Sequence, residues 1–163
     1  MKIRAAITIL LLSTGNTLAD DITINAFNWY TNDSYCSFQL TDQSFDYNDP
    51  NTWRYVLITN LPEVDFDNLP DTPEEIAAQE QKSYATAFMS INHAFHELSM
   101  KTGSVRDDGF SIVYTTHGER PFEVTLDAKM LEKGYESQSY KGTISVIRGD
   151  ATASVAFKGD CGV

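Results

Sequence analysis

Two cysteines, Cys36 and Cys161, stand near opposite ends of a 163-residue chain. If they pair, the first and last parts of the fold must lie side by side. That removes every architecture whose terminal elements sit apart. A bond closing a loop of this size stabilises by about 4–5 kcal/mol on the loop-entropy account.

The compartment favours pairing. Lys2 and Arg4 precede an apolar stretch, residues 5–12, interrupted by Thr8 alone. Gly15 and Asn16 then relax the chain, and Thr17-Leu18-Ala19 offers a small-x-small cleavage site. The expected organisation is a secretory signal over residues 1–19 and a single globular domain over 20–163, secreted or periplasmic. In such a compartment thiols oxidise. The apolar run is shorter than the ~20 residues that a membrane helix needs, and no second run follows, so no membrane insertion is expected.

Charge narrows the partners. The chain carries 23 Asp+Glu against 12 Lys+Arg, a net charge of −11. Between residues 20 and 81 thirteen acids face one base, Arg54. Phosphate recognition requires clustered Lys and Arg, so nucleic acid is excluded as an expected partner. A cationic protein would be steered toward the first half. Nine aromatics crowd the same region, from Phe27 to Tyr55, and include both tryptophans. Trp29, Asp42, Phe45, Asp46, Tyr47, Asp49 and Trp53 are therefore the candidate binding residues, with Phe45 and Tyr47 the hardest to explain as core.

Period-two patterns predict strands over residues 22–30, 35–41 and 53–59, and again over 110–115, 122–126, 141–147 and 151–157. Gly149-Asp150 suits a two-residue hairpin turn and accounts for the Arg148-Gly149-Asp150 tripeptide. Thr72-Pro73-Glu74-Glu75 has the chemistry of a helix start. Tyr84, Phe88, Ile91, Phe95 and Leu98 then recur at helical spacing. The spacing predicts one long amphipathic helix over 73–101. The expected fold is α+β, an antiparallel sheet of about seven strands packed on that helix; a β-barrel or sandwich with an inserted helix is the alternative.

Catalytic signals are sparse. His93, His96 and Glu97 would share one flank of the helix and are the candidate metal ligands, without matching a zinc-protease pattern. The connector with Glu63, Asp65, Asp67 and Asp71 fails the calcium-loop pattern. Asn32-Asp33-Ser34 matches a glycosylation acceptor. No nucleophile elbow or phosphate loop occurs, and no cofactor is implied. The sequence points to an exported acidic binding protein, an inhibitor or neutralising partner of a basic protein. Two alternatives stand beside it: a small-molecule or sugar carrier with a sheet–helix cavity, and a hydrolase using carboxylates or the histidines.

Overall fold

The computed structural model describes residues 21–29, 34–60 and 68–162. The expected signal over 1–19, the acids Glu63, Asp65 and Asp67, and the Asn32-Asp33 pair lie outside these residues. The strands are β1 (Ile24–Asn25), β2 (Phe27–Asn28), β3 (Ser34–Leu40), β4 (Arg54–Tyr55), β5 (Leu57–Asn60), β6 (Thr86–Ile91), β7 (Ala94–Arg106), β8 (Gly109–Thr116), β9 (Glu123–Lys133), β10 (Ser137–Arg148) and β11 (Ala151–Gly162). One helix, α1 (Pro73–Ser83), stands between β5 and β6.

Eight antiparallel strands, β3 and β5–β11, close into a barrel, each pairing with the next and β11 pairing back to β3. Barrel neighbours thus follow chain order, apart from the β4 excursion, as in an up-and-down barrel. Alternation explains why. On β8, Phe110, Ile112, Tyr114 and Thr116 are buried, and on β9 Val124, Leu126 and Ala128 are, while Asp127 between them and Lys129 just beyond are exposed. Eight strands leave an interior just wide enough for side chains to fill. Here aromatic rings fill much of it: Phe38 lies 4.6 Å from Phe157, and Phe110 lies 5.0 Å from Tyr140 and 5.1 Å from Tyr84. The barrel interior is therefore the core. A membrane barrel has the inverse pattern, apolar outside and polar within. Among the described residues no helix is long and apolar enough to cross a membrane.

The expected α+β fold with a long amphipathic helix is not what forms. The helix has 11 residues and ends at Ser83. Its start follows the sequence reading: Thr72 Oγ1 accepts from Glu75 N, and the Glu75 carboxylate accepts from Thr72 N, each at 3.3 Å. The Asp71 N–H first, then the Thr72 side chain and the Thr72 N–H, hold the Glu75 carboxyl below its ordinary pKa. Beyond Tyr84 the chain turns into the β6–β7 hairpin. Asn92 and His93, with φ of 52° and 63°, form its two-residue turn. Such turns need positive φ at both central positions, which Asn and His tolerate better than most residues. Of the five residues at helical spacing, Tyr84 caps α1 and the other four belong to two faces of the β6–β7 hairpin. Tyr84, Ile91 and Leu98 are buried in the core, whereas the Phe88 and Phe95 rings stack on each other outside it, 5.7 Å apart.

A disulfide joins Cys36 to Cys161, which are directly opposed residues of β3 and β11 with Cα atoms 4.0 Å apart. Both are buried. The bond therefore lies on the seam where the first and last barrel strands meet. Gly159 lets that seam close tightly, because a Cβ there would collide with the Ser37 carbonyl and the Phe38 ring.

Candidate functional site

The second, smaller sheet builds a layer outside the barrel. Strands β2 and β4 pair as a ribbon, Phe27 opposite Tyr55 and Asn28 opposite Arg54. The ribbon carries Trp29 onto the outward rings of β6 and β7. Trp29 lies 5.9 Å from Phe88 and 5.7 Å from Phe95, nearly parallel to both, and Phe27 meets Phe95 edge-on at 5.2 Å. Parallel, offset rings at this spacing are a favourable arrangement. Phe95 remains about half exposed, so the layer ends in open aromatic surface.

The loop over residues 41–53 supplies the opposite wall. Its carboxylates hold its own backbone. The Asp46 carboxylate accepts from Asn48 N at 2.9 Å, and its carbonyl accepts from the Trp53 indole Nε1 at 3.1 Å. Asp49 accepts from Asn51 N and Nδ2 and caps the short 3-10 turn Pro50–Thr52. Trp53 is thereby fixed beside that turn. Together Asn28, Trp29, Pro50 and Trp53 line an open cleft of about 400 Å³. Tyr47, 66% exposed, stands 6.0 Å from Trp53.

The structure thus brings Trp29, Tyr47 and Trp53 together, with Asp46 and Asp49 as the loop's internal fastenings. Asp42 is exposed and makes no hydrogen bond or ion pair among the described residues. Phe45 points elsewhere, into a separate cavity shared with Tyr55. Sequence reasoning missed Asn28, Phe88 and Phe95. Their spacing places the phenylalanines on a helix face, and the Asn92-His93 turn pair is the signal that releases them from it.

The other candidates fare differently. His93 sits in the turn, its N–H donating to Asn25 Oδ1 at 2.8 Å. His96 packs edge-on against Phe122 at 5.5 Å. Glu97, the next residue of β7, is exposed, and neighbouring strand residues point to opposite faces. The shared helix flank does not exist, and among the described residues no three His, Cys, Asp or Glu side chains gather as metal ligands. His117 hydrogen-bonds Ser99 Oγ at 3.3 Å. Between the short α1 and strands β7 and β8 an open cleft of about 290 Å³ remains, lined by Ala77, Gln81, Tyr84, Met100, Val105 and Ile112.

No protein-family model, curated protein or solved structure matches this chain.

Proposed function

We propose that this is an exported, non-catalytic binding protein whose outer wall engages a cationic segment of another protein. One observation carries the reading: both tryptophans line a single open cleft, flanked by exposed Tyr47 and built on the acidic loop, while the barrel interior is filled by the protein's own rings. Aromatic anchors in a pocket with charges at the rim are the usual makings of a protein-binding hot spot. The acid excess over residues 20–81 supplies long-range attraction for a basic partner. A buried disulfide accords with export to an oxidising compartment.

The test is binding of the exported chain to poly-L-lysine and to a panel of folded basic proteins at low and high salt. Asp42→Lys probes the charge, because Asp42 has no part in holding the loop; Trp53→Ala probes the anchor. We expect Asp42→Lys to slow association and flatten the salt dependence. Trp53→Ala should weaken binding by roughly 30-fold or more, as loss of an aromatic hot spot does. If no cationic probe binds at micromolar concentration, or both variants bind as the parent does, the proposal is wrong.

A further inference from the structure

Strand β7 runs on past the strand beside it. β6 pairs with it from Ile91↔Ala94 to Thr86↔Ser99, and the Met100 N–H donates to the Ala85 carbonyl at 2.9 Å. Beyond that point β8 continues on one side as far as Arg106↔Gly109, and among the described residues no strand lies on the other. Every residue from Lys101 to Arg106 is exposed. The Asp107-Asp108 turn fixes which backbone groups are open. Arg106 and Gly109 close a two-residue hairpin and bond each other. Alternation then points the backbone groups of Thr102, Ser104 and Arg106 at β8, and those of Gly103 and Val105 toward the free edge. Such an edge is a template for another strand.

The side chains of this edge are complementary to one another. Val105 lies opposite core-facing Phe110, yet it is 72% exposed. Gly103 lies opposite core-facing Ile112, and a Cβ there would meet Met100 Sδ at 3.4 Å and Ile112 Cγ1 at 3.5 Å, so its absence leaves a hollow. The hollow belongs to the cleft between β7 and α1. On the far wall α1 lacks a packing partner: Ile76 is half exposed, and Ala77 is exposed although it lines the cleft. A helix of 11 residues is too short to hold itself in water. Charge divides between the ends of the cleft. Glu74 and the Asp107-Asp108 turn stand toward the Ala77 and Val105 end, Lys82 and Lys101 toward the Tyr84 and Met100 end.

We propose that this edge pairs with the same edge of a second copy of the chain, antiparallel about a two-fold axis at Ser104. Each Gly103 then exchanges both backbone hydrogen bonds with the partner's Val105, and each Val105 side chain seats over the partner's hollow. The entering strand gives α1 a surface to cover. The antiparallel sense sets Lys101 opposite the partner's Asp107, and it brings the acidic end of one cleft to the basic end of the other. The two neighbouring registers lack this fit, since one sets Val105 opposite the partner's Lys101 and the other sets Gly103 opposite the partner's Asp107. The aromatic layer around Phe95 stands at the other end of β7, so pairing leaves both tryptophan clefts open and does not rest on binding there.

Sedimentation equilibrium of the disulfide-bonded, exported chain across the micromolar range tests this. We expect a concentration-dependent dimer. Val105→Asp, at an exposed position, should weaken it roughly tenfold or more without lowering Tm. Gly103→Val, which fills the hollow, should weaken it too. The axis allows a covalent check, because the native cysteines are bonded to each other and none is free. Opposed residues of a non-hydrogen-bonded pair have Cα atoms about 4.5 Å apart, within reach of a disulfide. Ser104→Cys should therefore form an interchain disulfide in air. Thr102→Cys, equally exposed but opposite the partner's Arg106, should not. A monomer throughout the range overturns the inference, whether or not an extended peptide or an apolar dye occupies the cleft instead. So does a dimer that Val105→Asp leaves intact, or one that Thr102→Cys links as readily as Ser104→Cys.

Discussion

Tyr55 and Tyr114 are buried phenols whose hydroxyls make no hydrogen bond among the described residues. Burial disfavours the phenolate, which pushes Tyr55 up to about 12 and Tyr114 higher still. In the unfolded chain both titrate near 10. The folded state therefore holds these protons more tightly than the unfolded state does. The stability this contributes is complete below about pH 10 and is lost as pH rises through the folded values. Denaturant midpoints should be flat from neutral pH to about 10 and fall steeply above it. Tyr114→Phe, which also removes an unmade buried hydrogen bond, should remove most of that fall while matching or exceeding the parent at neutral pH. An unchanged alkaline slope in the Tyr55→Phe, Tyr114→Phe double variant would show that other groups drive it. The same scale shows what the sequence hides. Composition cannot tell a carboxylate that hydrogen-bonds its own turn, as Asp46 and Asp49 do, from one that does not. Asp42, with the same composition, is the free one.

At the scale of elements, the β6–β7 hairpin is the decisive unit. Its turn is fastened from outside the hairpin: Asn92 Oδ1 accepts from Thr23 N at 2.7 Å, and Asn92 N donates to the Thr23 carbonyl at 2.8 Å. Asn92→Ala would place a side chain with no local hydrogen bond at positive φ and strip that contact. A loss of about 2 kcal/mol is expected, and Asn92→Gly, which keeps the backbone freedom, should lose less. Chemical denaturation of the two variants checks the order; equal midpoints would remove the turn's role. This hairpin is also where sequence reasoning failed. Helix capping is local chemistry, so Thr72-Pro73-Glu74-Glu75 marked the helix start correctly. The helix end had no glycine to announce it, and the aromatic spacing of 84, 88, 91, 95 and 98 ran through a strand turn unmarked. A pattern of apolar residues does not say which face each occupies. The strands expected after residue 110 all have counterparts, and they extend further than their apolar cores. Pairing with a neighbour continues through polar residues such as Lys129 and Lys133.

For the whole molecule, the barrel is unevenly knit. β10 and β11 pair from Ser137↔Gly162 to Arg148↔Ala151, whereas β5 meets β6 at Ile58↔Phe88 and Thr59↔Ala87. The strands from the first part of the chain, β3 and β5, are therefore the loosely held staves. The Cys36–Cys161 bond fixes β3 to the well-paired C-terminal strands. A Cys36→Ser, Cys161→Ser variant should lose up to about 4–5 kcal/mol. Against a usual domain stability of 5–15 kcal/mol, it should remain folded but marginal. The loss should not be spread evenly. Amide exchange should quicken first in β3 and β5 and last in β8–β10, because local opening follows the thinnest pairing. The aromatic wall gives this opening a functional consequence. Phe88, on which Trp29 rests, is the β6 residue paired with Ile58 of β5. Separating β5 from β6 thus draws the chain that carries Trp53, just before β4 and β5, away from the Phe88 and Phe95 rings under Trp29, while the C-terminal strands stay paired. Reduction should abolish binding at the cleft before it abolishes the barrel's circular-dichroism signal. Simultaneous loss of the two, with uniform exchange across all strands, would show that the bond stabilises the barrel as one unit and gives the cleft no separate protection.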